Sequence, residues 1–238
     1  MPSTVSDIQT RASNCEASIQ AKINCAIDAL MRSLPNAEQL SSEQQRGIIK
    51  RYTAVLEGNF IYWMTGAYLA VQSEEARSII LENLHEEVRD CHPGMLRRFA
   101  LAANALPTDS DTLAVQQDLM NVRLFIGRLQ GVPIVITMAF FEGFIQKFMA
   151  YLADLAAAQG SAEREYTDVH GVCDITHTEE LYRALAAEMT LQPAASMTDL
   201  FEGVTLLGTL LETIIQGATN GEFASRCLAR SARNANQN

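Results

Sequence analysis

Three residues whose chemistry suits a metal stand close together in the stretch DVHGVCDITHTEEL, which runs from Asp168 to Leu181: His170, Asp174 and His177. On a helix advancing about 100° per residue they fall on a stripe about 60° wide over two turns, so their side chains converge on one spot. Two imidazoles and one carboxylate mix borderline nitrogen with hard oxygen, a set suited to iron or manganese. Cys173 lies off the stripe.

The other two histidines of the chain, His85 and His92, share a second segment, ENLHEEVRDCHPGMLRRFA, with Glu82, Glu86 and Glu87. Glu82 and Glu86 occupy one helical face at i, i+4 spacing. Glu86 and His92 are six apart and meet only if the chain bends between them. Pro93 disfavours helical geometry at His92 and places a bend there, with the helix restarting at the proline. The alternative is a solvated acidic helix end.

A third carboxylate, Glu142, interrupts the most apolar run of the protein, GVPIVITMAFFEGFIQKFMAYLADL. A buried ionised carboxylate is costly unless paired or coordinated. Lys147, five positions on, is poorly placed to pair with it, which leaves a metal or an arginine from another helix. Glu57 in AVLEGNFIYWM poses the same question more weakly. His92, Glu142, His170, Asp174 and His177, with one glutamate from the 82–87 segment, make about six N/O donors, more than a single ion needs and suited to a dinuclear iron or manganese site in a helical bundle. The paired Glu-x-x-His motifs of ferritin-like bundles are missing; Glu82 with His85 is the one instance.

The elements that must position these donors read as helices throughout. Apolar residues recur at i, i+3, i+4 and i+7, and no alternating segment is bounded by hairpin turns, so the class is all-α. Helices are expected at roughly 17–34, 43–71, 74–90, 94–105, 111–130, 133–158, 165–190 and 198–220, within about 2–4 residues at each end. LPNAEQLSSEQQ supplies a stop and then serine caps followed by glutamine; LPTDSDT and AQGSAERE separate later helices; Ser196 or Thr198 could cap the last one. One domain spans residues 1–238, with residues 1–15 and 228–238 frayed.

Composition agrees. At 48% hydrophobic and 19% charged residues the chain has the apolar surface to fold. A net charge of −10, without Lys/Arg clusters, excludes nucleic acid as a partner. Five scattered cysteines without a C-x-x-C pair fit a reducing, cytoplasmic setting. The polar N-terminus lacks a signal-peptide core. Glu142 and Lys147 make the apolar run a buried core helix rather than a membrane span.

With its motifs assembled, the chain resembles the haem-oxygenase-like diiron oxidases, nonhaem enzymes sharing a seven- or eight-helix bundle with haem oxygenase, thiaminase II and pyrroloquinoline-quinone synthase. His-x3-Asp-x2-His is matched by His170, Asp174 and His177, the mid-chain glutamate by Glu142, and the Asn-Leu-x-(Asp/Glu)-Glu segment with its His restart by NLHEE and HPGML, over residues from about 40 to 220. The pattern is most similar to the CADD-like branch implicated in p-aminobenzoate synthesis. It departs from that branch at Phe141, where a tyrosine is usual, at Leu152, where a lysine is usual, and in the short interval between Glu86 and His92; Tyr166 is retained one turn before His170.

The resemblance implies Glu86 (preferred over Glu82), His92, Glu142, His170, Asp174 and His177 as ligands of two Fe(II) ions, O2 as co-substrate, an electron donor, and a small biosynthetic substrate of amino acid, amine or fatty acid type. A homodimer is compatible with it. Phe60, Tyr62, Trp63, Phe140, Phe141 and Tyr166 either line the pocket or pack the core. Two other readings compete: a metal-free thiaminase-II-like or quinone-synthase-like enzyme, for which Cys91 beside His92 is the best nucleophile, and a non-enzymatic, partner-binding helical protein.

Overall fold

The computed structural model describes residues 5–191 and 200–217. Among them every regular element is a helix: α1 (Val5–Arg32), a short 3-10 turn (Ala37–Gln39), α2 (Ser42–Ala70), α3 (Glu74–Arg89), α4 (His92–Ala102), α5 (Asp109–Ile126), α6 (Gly131–Ala157), α7 (Glu165–Leu191) and α8 (Glu202–Gln216). The all-α class expected from the sequence is what the described residues adopt. α1 starts at Val5 rather than near residue 17, because VSDIQTRASNCE contains neither proline nor glycine to stop it. Ser196 and Thr198, the expected caps of the last helix, and the 228–238 tail lie outside the described residues.

α6 is the centre of the bundle. Apolar on all sides, as a fully surrounded helix must be, it packs along α7 and also meets α1, α2 and α8. Among the described residues it is the one helix long and apolar enough to cross a membrane, yet 83% of its most apolar window is buried inside the protein. α2 begins in a capping box in which Ser41 and Gln44 satisfy each other's backbone N–H groups, and it runs against α3, α4, α5 and α6.

One buried acid ties the ligand-bearing helices together. Glu188 on α7 is fully buried and accepts hydrogen bonds from the backbone N–H groups of Gln72 at 2.9 Å and Ser73 at 2.9 Å, at the entry to α3. These donors sit at a helix start, where a carboxylate is favoured. Gly131 lets the start of α6 pass against the same carboxylate; a Cβ there would stand 2.5 Å from its Oε1.

Candidate metal centre

The bend needed to bring the α3 acids to His92 is present, one residue earlier than Pro93 suggests. α3 ends at Arg89, Cys91 takes the left-handed conformation with φ 57° and ψ 45°, and α4 begins at His92 with Pro93 in its first turn. The turn folds His92 back onto α3, where its Nδ1 donates to Glu87 Oε1 at 2.7 Å. Both side chains are buried.

α7 supplies the facing wall. His170 donates from Nδ1 to the carbonyl of Tyr166 at 2.8 Å, which fixes its tautomer and leaves Nε2 as a lone pair 3.9 Å from Glu87 Oε1. Its ring meets that of His92 edge-on, with centroids 4.5 Å apart. Burial pushes the His170 pKa down to about 4, so the imidazole is neutral and able to ligate. At His92 burial also opposes the charge, but the hydrogen bond and negative charge of Glu87 outweigh it and hold the pKa above the ordinary histidine value.

Two turns further along α7, His177 donates from Nε2 to Glu86 Oε2 at 2.8 Å. Its Nδ1 faces Asp174 Oδ1 at 3.8 Å and Glu142 Oε1 at 3.9 Å. Bonds of about 2.1 Å to a shared first-row ion place neighbouring donors roughly 3–4 Å apart, and these separations fall within that range. Glu142 projects from the central helix α6 and finds no lysine or arginine partner among the described residues; Lys147 pairs with Asp28 instead, at 2.8 Å. Burial, then the adjacent charges of Asp174 and Glu87, raise the Glu142 pKa far above the carboxylate range. Burial likewise pushes Asp174 up to about 8.

Two donor groups result. Glu87, His92 and His170 offer ligand atoms within 4.8 Å of one another, and so do Asp174, His177 and Cys173, with Glu142 beside the second group. Among the described residues, Glu142 Oε1, Asp174 Oδ2 and His177 Nδ1 are buried without any hydrogen-bond partner. Buried polar atoms are almost always satisfied. Three orphaned donors on the neighbouring residues Glu142, Asp174 and His177 suit an ion, and their nitrogen and oxygen chemistry fits iron.

Of the six residues expected as ligands, His92, Glu142, His170, Asp174 and His177 come together directly. Glu86 reaches the cluster from a half-buried position, through His177. Glu87, not preferred on sequence, is the buried acid of α3. The signal for it lay in the face of the helix: the buried positions of α3, Ala76, Ile79, Ile80, Asn83 and Glu87, follow an i, i+3/i+4 spacing that reaches Glu87. Glu82 is exposed and Glu57 pairs with Arg97 at 2.8 Å, so neither belongs to the cluster.

A cavity of about 20 Å³ opens beside the donors, room for about one water. Leu56, Phe60, Phe141 and Ile145 give it apolar walls and Tyr52 and Tyr166 a polar one. Phe60, Phe141 and Tyr166 thus line the space, whereas Phe140 and Trp63 are core and Tyr62 is at the surface.

Comparison with known proteins agrees with this geometry. The sequence profile of a family described as iron-containing redox enzymes matches residues 51–210, more than half of the chain and the span from α2 to α8 that holds every donor. Neither the curated proteins nor the solved structures yield a match. The chain belongs to the haem-oxygenase-like family of iron-containing redox enzymes.

Proposed function

We propose that this iron-dependent oxidoreductase is a nonhaem diiron oxidase or oxygenase, with O2 as co-substrate and a small molecule as the oxidised partner. The observation that carries the reading is the pairing of two donor groups in one buried site: Glu87, His92 and His170 beside Glu142, Asp174 and His177, with three orphaned polar atoms in the second group. Such an inventory exceeds what one ion uses. When bound, two ferrous ions supply electrons for reducing O2 and oxidising power toward a C–H, C–C or N–H bond; manganese suits the same donors.

The chain's own residues prepare that chemistry. The Tyr166 carbonyl and Glu86 hold His170 and His177 in the tautomers that aim Nε2 and Nδ1 inward. Protonation of Glu142 and Asp174, favoured by their burial, limits the buried charge until a cation displaces it. Leu56, Phe60, Leu96, Phe141 and Ile145 keep bulk water from the donors and favour a slim, apolar reacting segment. Substrates of amino acid, amine or fatty acid type in a biosynthetic step follow from the family resemblance rather than from the cavity, which holds about one water, with an external reductant completing the cycle.

The cysteine-nucleophile reading has less support: Cys91, its candidate, is exposed at the turn before α4 and does not line the cavity. Cys173 donates to Asp174 Oδ1 at 3.2 Å, and burial pushes its pKa upward, which keeps it a thiol. Phe141 and Leu152 offer the cavity and core neither the hydroxyl nor the amine of the CADD-like branch, so the proposal stops short of p-aminobenzoate synthesis.

The test is O2 uptake by protein loaded anaerobically with Fe(II), followed by mass spectrometry of mixtures with candidate amino acids, amines and fatty acids. Iron-dependent uptake is expected, and His170→Ala or His177→Ala should abolish it while helicity by circular dichroism is retained. Iron-independent uptake, or none, would defeat the proposal.

A further inference from the structure

Tyr52 on α2 and Tyr166 on α7 meet in the cavity wall with their hydroxyl oxygens 2.8 Å apart. Both side chains are buried. Two hydroxyls carry two hydrogens, and one of these bridges the pair. Neither oxygen makes another hydrogen bond among the described residues, so the second hydrogen has no protein acceptor. Donors this deeply buried are rarely left unpaired.

The hydroxyl pair stands beside the donor cluster. The Tyr166 ring lies against the His170 imidazole, with centroids 4.2 Å apart, and the Tyr166 carbonyl receives His170 Nδ1–H.

We infer that Tyr52 and Tyr166 form a single-donor subsite, presenting one O–H into the cavity to the acceptor atom of a small anion seated against the metal centre. The inference rests on the metal-centre reading. The cavity's size, about 20 Å³, selects a ligand of water-like cross-section. A stability device would satisfy both hydrogens within the protein; leaving one free beside His170 serves a bound ligand.

Azide is the probe. Iron content is measured first, for wild type, Tyr52→Phe, Tyr166→Phe and the double variant, followed by azide titration of each oxidised, iron-loaded protein through its charge-transfer absorption. Loss of a hydrogen bond to an anion should weaken azide binding about tenfold in the double variant. Single variants should fall between, since the remaining hydroxyl can turn its hydrogen to the ligand. Equal azide affinity in wild type and double variant, at equal iron content, overturns the inference.

A second readout needs no metal. In the apoprotein each single variant strands one hydroxyl, whereas the double variant strands none. The double variant should therefore unfold at a temperature no lower than either single variant. If it is less stable than both, each hydroxyl has its own protein partner and the free donor does not exist. Should wild type take up no iron, the metal reading fails by itself and this comparison still decides the subsite.

Discussion

Glu87 on α3 and His92 on α4 are joined by a 2.7 Å hydrogen bond across the left-handed turn at Cys91. The contact converts a helix end into part of the buried donor cluster and separates the roles of two adjacent acids. Glu87 faces His170 as well, at 3.9 Å, whereas Glu86 meets the site through His177 Nε2 at 2.8 Å.

Substitutions should resolve those roles. Glu87→Ala should remove one of the two iron positions. Glu86→Gln should keep both and weaken iron binding about 10–100-fold, as loss of an orienting partner does. Glu82→Ala should change nothing. Iron content and competition with a chelator measure all three, and equal losses for Glu86 and Glu87 would contradict the assignment.

Cys91 occupies a backbone region that costs an L-residue about 1–2 kcal/mol. Glycine removes that cost and returns part of it as chain entropy, so Cys91→Gly should raise stability by about 0.5 kcal/mol. Iron content and O2 uptake should be unchanged. Denaturant unfolding checks the first expectation; loss of activity would revive a cysteine nucleophile.

The apoprotein should lose stability as pH rises from about 6.5 to 8, the interval between the ordinary histidine pKa and the raised value of Asp174. Asp174 and Glu142 keep a proton when folded that they release when unfolded, so their contribution is complete below the ordinary carboxylate pKa and is lost as pH rises through the folded values. His92, also raised, acts in the same direction above its ordinary pKa. His170, lowered to about 4, acts oppositely, but its effect is complete by the ordinary histidine pKa. Iron displaces these protons and should tighten with pH. Melting temperatures across the interval, with and without Fe(II), would show an apoprotein decline that metal suppresses; a rise in the apoprotein would contradict the ionisation scheme.

Glu188→Ala should destabilise the fold by about 3 kcal/mol, because it removes the fully buried carboxylate that accepts from the backbone N–H groups of Gln72 and Ser73 and strands the buried one at Ser73. The same contact seats α3 on α7, so iron affinity should fall with stability. Chemical denaturation and iron titration of one variant test both; a change under 1 kcal/mol would show that water replaces the carboxylate.

Much of this architecture is legible in the sequence because helix and site use the same periodicity. The stripe of His170, Asp174 and His177 needs only the helical repeat, and Glu142 announces itself as a charge in an apolar run. The choice within Glu86-Glu87 was harder, since a proline rule places the bend at His92 while the chain makes it at Cys91, where no local residue type signals a left-handed turn. That single-residue difference rotates His92 toward Glu87. The Tyr52–Tyr166 hydrogen bond joins residues 114 positions apart and depends on how α2 and α7 pack, which no local pattern encodes. Glu188 was silent for the same reason: its partners are backbone amides.

The most direct test of the account is Mössbauer spectroscopy of protein loaded anaerobically with 57Fe(II) and then exposed to O2. A dinuclear centre predicts about two irons per chain, converting to a diamagnetic, exchange-coupled ferric pair. One iron per chain, with the magnetic spectrum of an isolated high-spin ferric ion, would contradict it.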